Sequence, residues 1–178
     1  MAERSWQTLM RNASHDAARL ELLELRPGLT LRARGTGCER LARALELAAL
    51  PAVNVVSRGA SGVMVCGLRP DEWALLGGAP NVDALRAAVG DEGAVIDTTA
   101  SRVGLVLEGP RVREVLASCC ALDVRPRVLP PGRCAQTLIG RAGVFIAPLA
   151  PDRYLVACRP SSADYVVRWL TDGMALVR

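Results

Sequence analysis

The chain has 178 residues, room for one ordinary domain or two small fused halves. Its 22 basic residues, all arginine, outnumber 18 acidic ones for a net charge of +4, and aromatic residues make up only 3%. The arginines are scattered among carboxylates, so the basic stripe and stacking surface of a nucleic-acid partner are missing. No run of 18 apolar residues occurs, which excludes a membrane-spanning helix.

Residues 1 to 19 read as an irregular N-terminal arm. Glu3, Arg4, Arg11 and Asp16 interrupt it, and it lacks the apolar stretch of a secretory signal. Trp6, Leu9 and Met10 have no core of their own nearby, so the arm either packs on its own domain or docks on a partner. The remainder, 20–178, reads as a single domain made of two halves, about 20–100 and 101–178.

In the first half Leu29, Leu31 and Ala33 alternate with polar residues, the period of a half-buried strand. Thr36-Gly37-Cys38-Glu39 has the form of a capping box. Cys38, Leu41, Leu45 and Ala48 then mark a helical face that Pro51 ends. Val53–Ser57 and Val63–Leu68 read as strands around a Gly59–Gly62 turn. Asn81 caps a helix with Val82, Leu85 and Val89 inward, and Ala94–Ile96 is a short buried strand.

The second half repeats this order. Val103–Leu107 is a strand, and Gly109-Pro110 turns into a helix with Val112, Val115, Leu116 and Cys119 inward. An Arg- and Pro-rich loop, Asp123–Arg133, follows. Ala135–Ile139 and Val144–Pro148 form a hairpin, and Tyr154–Cys158 is the next strand. Ser161 caps a last helix that buries Val166, Trp169 and Leu170 and stops at Gly173, before a closing strand at Ala175–Val177. The predicted fold class is α+β, two ferredoxin-like β-α-β-β-α-β halves.

A repeat supports this division. Gly62-Val63 through Leu68, Pro70, Asp71 and Trp73 is echoed by Gly143-Val144 through Leu149, Pro151, Asp152 and Tyr154, an offset of 81 positions without a gap. Each copy reads as an apolar strand, a Pro-Asp turn and a second strand opened by an aromatic residue. We read it as an ancient duplication.

A catalytic set is not evident. His15 is the single histidine and sits in the arm, so Ser101, Ser161 and Ser162 have no base to activate them. Asp71 and Asp152 read as turn residues whose carboxylates serve backbone amides, while Asp97 and Asp123 read as caps or arginine partners. The six cysteines, at 38, 66, 119, 120, 134 and 158, include no Cys-x-x-Cys pair, which argues against zinc. The vicinal Cys119-Cys120 reads as two core positions rather than a redox pair. Free thiols point to a reducing compartment, hence a cytoplasmic protein. Neither Gly-x-Gly-x-x-Gly nor a phosphate-binding Gly-Lys loop occurs. No catalytic, cofactor-binding or metal residues are assigned, and the expected role is binding or assembly.

Further motifs carry a resemblance. Val95-Ile96-Asp97-Thr98-Thr99-Ala100-Ser101-Arg102, Leu107-Glu108-Gly109-Pro110 with Arg111 to Leu116, and Cys120-Ala121-Leu122-Asp123 are part of it. So are Pro131-Gly132-Arg133-Cys134-Ala135-Gln136-Thr137-Leu138, Arg159 to Ala163, Trp169-Leu170, and Leu68 to Trp73. In their order these resemble the gamma subunit family of bacterial heterotetrameric sarcosine oxidase. That family is similar in fold to the folate-binding domain of the glycine-cleavage T-protein.

The resemblance implies a non-catalytic subunit that supports assembly with alpha, beta and delta subunits, no nucleic acid and no membrane. FAD, FMN, NAD, tetrahydrofolate and zinc would be held by those partners, with no cofactor in this chain. Folate-using relatives carry an acidic residue in the hairpin that here reads Ala147-Pro148, so a charge for the pterin is missing. The alternatives are the equivalent subunit of a related secondary-amine oxidase or dehydrogenase, or a free-standing folate-binding one-carbon protein.

Overall fold

The structure is a computed structural model that describes residues 10 and 14–177. Its elements are β1 (Ser14–His15), β2 (Ala18–Leu23), β3 (Gly28–Ala33), α1 (Thr36–Ala44), β4 (Val56–Arg58), β5 (Met64–Arg69), β6 (Glu72–Leu76), α2 (Val82–Val89) and β7 (Gly93–Asp97). Then come β8 (Val103–Glu108), α3 (Val112–Cys119), β9 (Ala135–Ile139), β10 (Ala142–Ala150), β11 (Arg153–Cys158) and α4 (Ala163–Leu176). The chain divides into two units, one of residues 24–100 and one of residues 1–23 with 101–178.

In the unit of residues 24–100, an antiparallel sheet runs β4-β5-β6-β3-β7. Alternation along β3 puts Leu29, Leu31 and Ala33 on one face, in a core with Leu41 and Leu45 of the α1 segment and Leu85 and Val89 of α2. Without β4 this is the ferredoxin-like order, with β3, β5, β6 and β7 as its four strands. β4 is an additional edge strand. The expected strand pair around Gly59–Gly62 is therefore not the central hairpin, which β5 and β6 form across the Pro70-Asp71 turn.

The other unit has the strand order β1-β2-β8-β11-β10-β9. Leu105 and Leu107 of β8 share a core with Val115 and Leu116 of α3 and Val166, Val167 and Leu170 of α4. The strand beside β8 comes from the N-terminal side of the chain. β2 occupies the place that β7 holds beside β3 in the other unit. The half is thus a permuted β-α-β-β-α-β, and it corrects two expectations. Ala18 and Arg19 belong to a sheet strand rather than an irregular arm, and Ala175–Leu176 continue a helix instead of forming a strand. With the edge of β8 already paired by β2, no ladder remains for a closing strand. Met10 packs against this core, while Trp6 and Leu9 lie outside the described residues.

The repeat survives in the ladders. Gly67 faces Trp73 and the register slips between Gly67 and Arg69; Pro148 faces Tyr154 and the slip falls between Pro148 and Ala150. Each pair of positions differs by the same 81 residues, as do the starts of α2 and α4 at Val82 and Ala163. A β-bulge at one place in both hairpins is a built feature of the fold. At Gly67 a side chain is excluded, because a Cβ would collide with the Ala52 carbonyl, and the Trp73 indole donates to the adjoining Pro51 carbonyl at 2.8 Å.

Several boundaries differ from the sequence reading for local reasons. α1 ends at Ala44 rather than running to Pro51, because Glu46 adopts φ +56° and Leu47 N donates back to the Ala42 carbonyl. β7 is an exposed edge strand rather than a buried one, with Ile96 46% exposed. Gly173 does not stop α4 but lies inside it, buried against α3. Ser161 sits in a single 3-10 turn, Pro160–Ser162, and no side chain caps α4. Trp169 is 40% exposed instead of buried.

Candidate functional site

The concave, charged place in the unit of residues 24–100 lies where β3, the β5–β6 turn and the approach to β7 converge. It encloses about 250 Å³ and is lined by Arg32, Arg34, Asp71, Asp91 and Glu92 with the backbone of Ala33 and Gly93. That volume is below the range of about 300–1,000 Å³ usual for small-molecule pockets. Arg32 donates to Glu72 at 2.6 Å and lies 3.7 Å from Asp71.

Glu92 is the pivot of this cluster. Its carboxylate accepts from the Thr36 hydroxyl at 2.8 Å and from the Gly37 amide, and it faces Arg40 at 3.5 Å. Two amide-end groups of α1 are thereby served by a residue more than fifty positions away, which replaces the expected capping box. Glu39 makes no cap, because Thr36 already lies within the helix and Gly35 is the N-cap. Arg40 completes the link by donating to the Ala88 and Val89 carbonyls at 2.6 and 3.1 Å, the open end of α2. The Thr36 hydrogen bond, aided by Gly37 and Arg40, holds the Glu92 carboxyl below the usual carboxylate range. A carboxylate so stabilised is a weakened base, and its lone pairs are already engaged. The cluster fastens α1 to α2; it is not arranged to move protons.

The residues singled out in the sequence do not converge. Asp71 and Asp152 do occupy equivalent turns, but their carbonyls do the work. Ala33 N donates to the Asp71 carbonyl at 3.2 Å, and Gly109 N to the Asp152 carbonyl at 3.0 Å. Asp97 caps the next turn through Thr99 N at 2.8 Å, a bond that lowers its pKa. Asp123 accepts from the Arg125 guanidinium at 2.8 Å and from its amide at 3.0 Å, which holds its carboxyl at about 2. His15 falls in β1, and Ser101 and Ser161 lie in separate 3-10 turns.

Cys119 and Cys120 are core residues whose thiols burial pushes up, and burial raises Cys158 to about 11. Thiols kept protonated make poor nucleophiles. Among the described residues no group of three His, Cys, Asp or Glu side chains is placed to hold a metal ion. Ala147 and Pro148 are buried within β10 opposite Leu155 and Tyr154.

The loop Asp123–Arg133 divides. Leu129 is buried in the core, while Val128, after Arg127, is 47% exposed. The buried Tyr154 hydroxyl holds the loop by donating to the Val124 carbonyl at 3.2 Å.

Comparison with known proteins gives a consistent result. A family model described as "Sarcosine oxidase, gamma subunit family" matches residues 35–176. A sarcosine oxidase subunit gamma from Corynebacterium sp. strain U-96 is 34% identical over 144 residues, covering 79% of this chain and 70% of the relative. One from Arthrobacter sp. is 33% identical over 141 residues, covering 78% and 70%. In structure the chain is similar to a chain of the heterotetrameric sarcosine oxidase from Corynebacterium sp. U-96 in complex with pyrrole 2-carboxylate. The TM-score is 0.87 at 30% identity, with 98% of this chain and 95% of that chain covered.

Proposed function

The chain belongs to the sarcosine oxidase gamma subunit family, and from that membership we propose that it is the non-catalytic subunit of a heterotetramer that oxidatively demethylates sarcosine to glycine. The observation that carries the reading is the likeness to a chain of a heterotetrameric sarcosine oxidase across nearly its whole length. Glu92, Arg40 and Asp123 support it, because they are committed to helix ends and an ion pair within their own unit. In this reading alpha, beta and delta subunits are the partners, and they hold FAD, FMN, NAD, tetrahydrofolate and zinc. The two units are halves of one duplicated domain whose task is to fill space and grip neighbours. The six free cysteines fit a reducing, cytoplasmic setting. An equivalent subunit of another secondary-amine oxidase, or a free-standing folate protein, is not favoured by relatives that are all named as sarcosine oxidase gamma.

The test is purification from the native host through an affinity tag on this chain. Recovery of larger, flavin-absorbing subunits and sarcosine-dependent oxygen uptake is the expected result. Recovery of the chain alone, or micromolar binding of tetrahydrofolate to it by calorimetry, would overturn the reading.

A further inference from the structure

The helix α4 has two apolar sides. One, with Val166, Val167, Leu170 and Met174, is buried in the core. The other carries Tyr165, Trp169, Asp172 and Leu176, spaced four, three and four residues apart and so confined to a narrow arc of the helix. Tyr165 is 38% exposed, Trp169 40% and Leu176 77%. An ordinary surface helix has one apolar face, and a second one points to a contact.

Two details show that this stripe is pre-shaped. The Tyr165 and Trp169 rings lie 6.1 Å apart at 53°, and the Tyr165 hydroxyl accepts from Arg141 N at 3.2 Å. The turn at Gly140, φ +54°, rests directly on both rings, where any Cβ would collide with them. Aromatic side chains already fixed in place lose little entropy on binding, and Trp and Tyr dominate interface energetics. The third detail is charge. Asp172 makes no salt bridge among the described residues; Arg168, one turn away, is bonded to Asp164 at 2.8 Å and meets Asp172 only at longer range. A carboxylate covered between two apolar contacts needs a partner there, and a charged donor supplies the strongest one.

We propose that the Tyr165–Leu176 stripe of α4 is the docking surface for another subunit of the oxidase, one presenting apolar side chains around a lysine or arginine that meets Asp172. The proposal rests on the functional reading above and deepens it. A second copy of this chain fits worse, because the same stripe on a two-fold partner brings no free cation to Asp172, its Arg168 being held by Asp164.

The experiment uses the assembly co-expressed with its partner subunits, with Leu176 replaced by the photocrosslinker p-benzoylphenylalanine. Irradiation is expected to join this chain to a different oxidase subunit, identified by peptide mass. In parallel, Asp172→Arg and Leu176→Glu should each reduce recovery of the other subunits about tenfold or more. Circular dichroism and melting of the variant chains should stay as in the wild type, and Ile96→Glu, on β7 of the other unit, serves as the control that assembles normally.

Crosslinks only to a second copy, no crosslink, or wild-type recovery in both variants would overturn the docking surface and leave the functional reading standing. If the wild-type chain recovers no partner subunit, the functional reading falls, and the proposal with it.

Discussion

Gly173 gives a sharp prediction because its surroundings decide the sign. In a helix interior Gly→Ala ordinarily stabilises by about 1 kcal/mol. Here a Cβ on Gly173 would lie 2.6 Å from the Cys119 sulfur, 3.0 Å from the Ser118 hydroxyl and 3.4 Å from a Val115 methyl. The first overlap is about 1 Å inside van der Waals contact, and overpacking of this kind costs about 1–3 kcal/mol. Gly173→Ala should therefore lower stability by about 1 kcal/mol net, a melting decrease of about 2–4 °C for a chain of this size.

Cys119→Ala removes the colliding atom and the thiol bond to the Trp169 carbonyl, so alone it destabilises as well. Combined, the two substitutions should be less harmful than their sum, with a coupling energy of about 1 kcal/mol. Urea unfolding of the four proteins measures the cycle. A Gly173→Ala protein that melts higher than wild type, or a double variant that is simply additive, would refute the close α3–α4 contact.

Tyr154→Phe leaves the Val124 carbonyl without its donor and should cost about 1 kcal/mol, read by the same unfolding assay. Asp123 should titrate at about 2 by carboxyl NMR. Its folded value is depressed from 3.8, so its contribution is intact above about pH 4 and is lost as pH falls through about 2; Asp123→Asn abolishes that dependence. Cys158 behaves oppositely, since its folded value is raised from 9.0 to about 11. Its contribution is present below about pH 9 and lost as pH rises through about 11. At neutral pH a disulfide reagent should label the half-buried Cys38 first and reach the five buried thiols only on unfolding. Rapid native labelling of all six would contradict the burial.

Local signals served well where they act over a few residues. Asn81 caps α2 through Ala84 N at 3.0 Å, Val112, Val115, Leu116 and Cys119 all face inward, and the 81-residue echo marks two hairpins with matching bulges. What the sequence hid was non-local. The pattern of Leu20 and Leu22 marks a strand only when β8 is known to lie beside it. Glu92 caps a helix from across the unit, where no spacing rule reaches. Trp169 falls near enough to the buried arc of α4 to be taken for core, and only the Gly140 turn and the Tyr165 ring reveal its outward place. The family resemblance lay in motif order, which survives such local misreadings.

Native mass spectrometry of the intact assembly, with subunits ejected one at a time, puts the claim of a non-catalytic assembly role to its most direct test. One copy of this chain should leave as the bare polypeptide while all flavin mass stays with the remaining subunits. An ejected chain carrying bound cofactor, or an active assembly from which it is absent, would contradict the account.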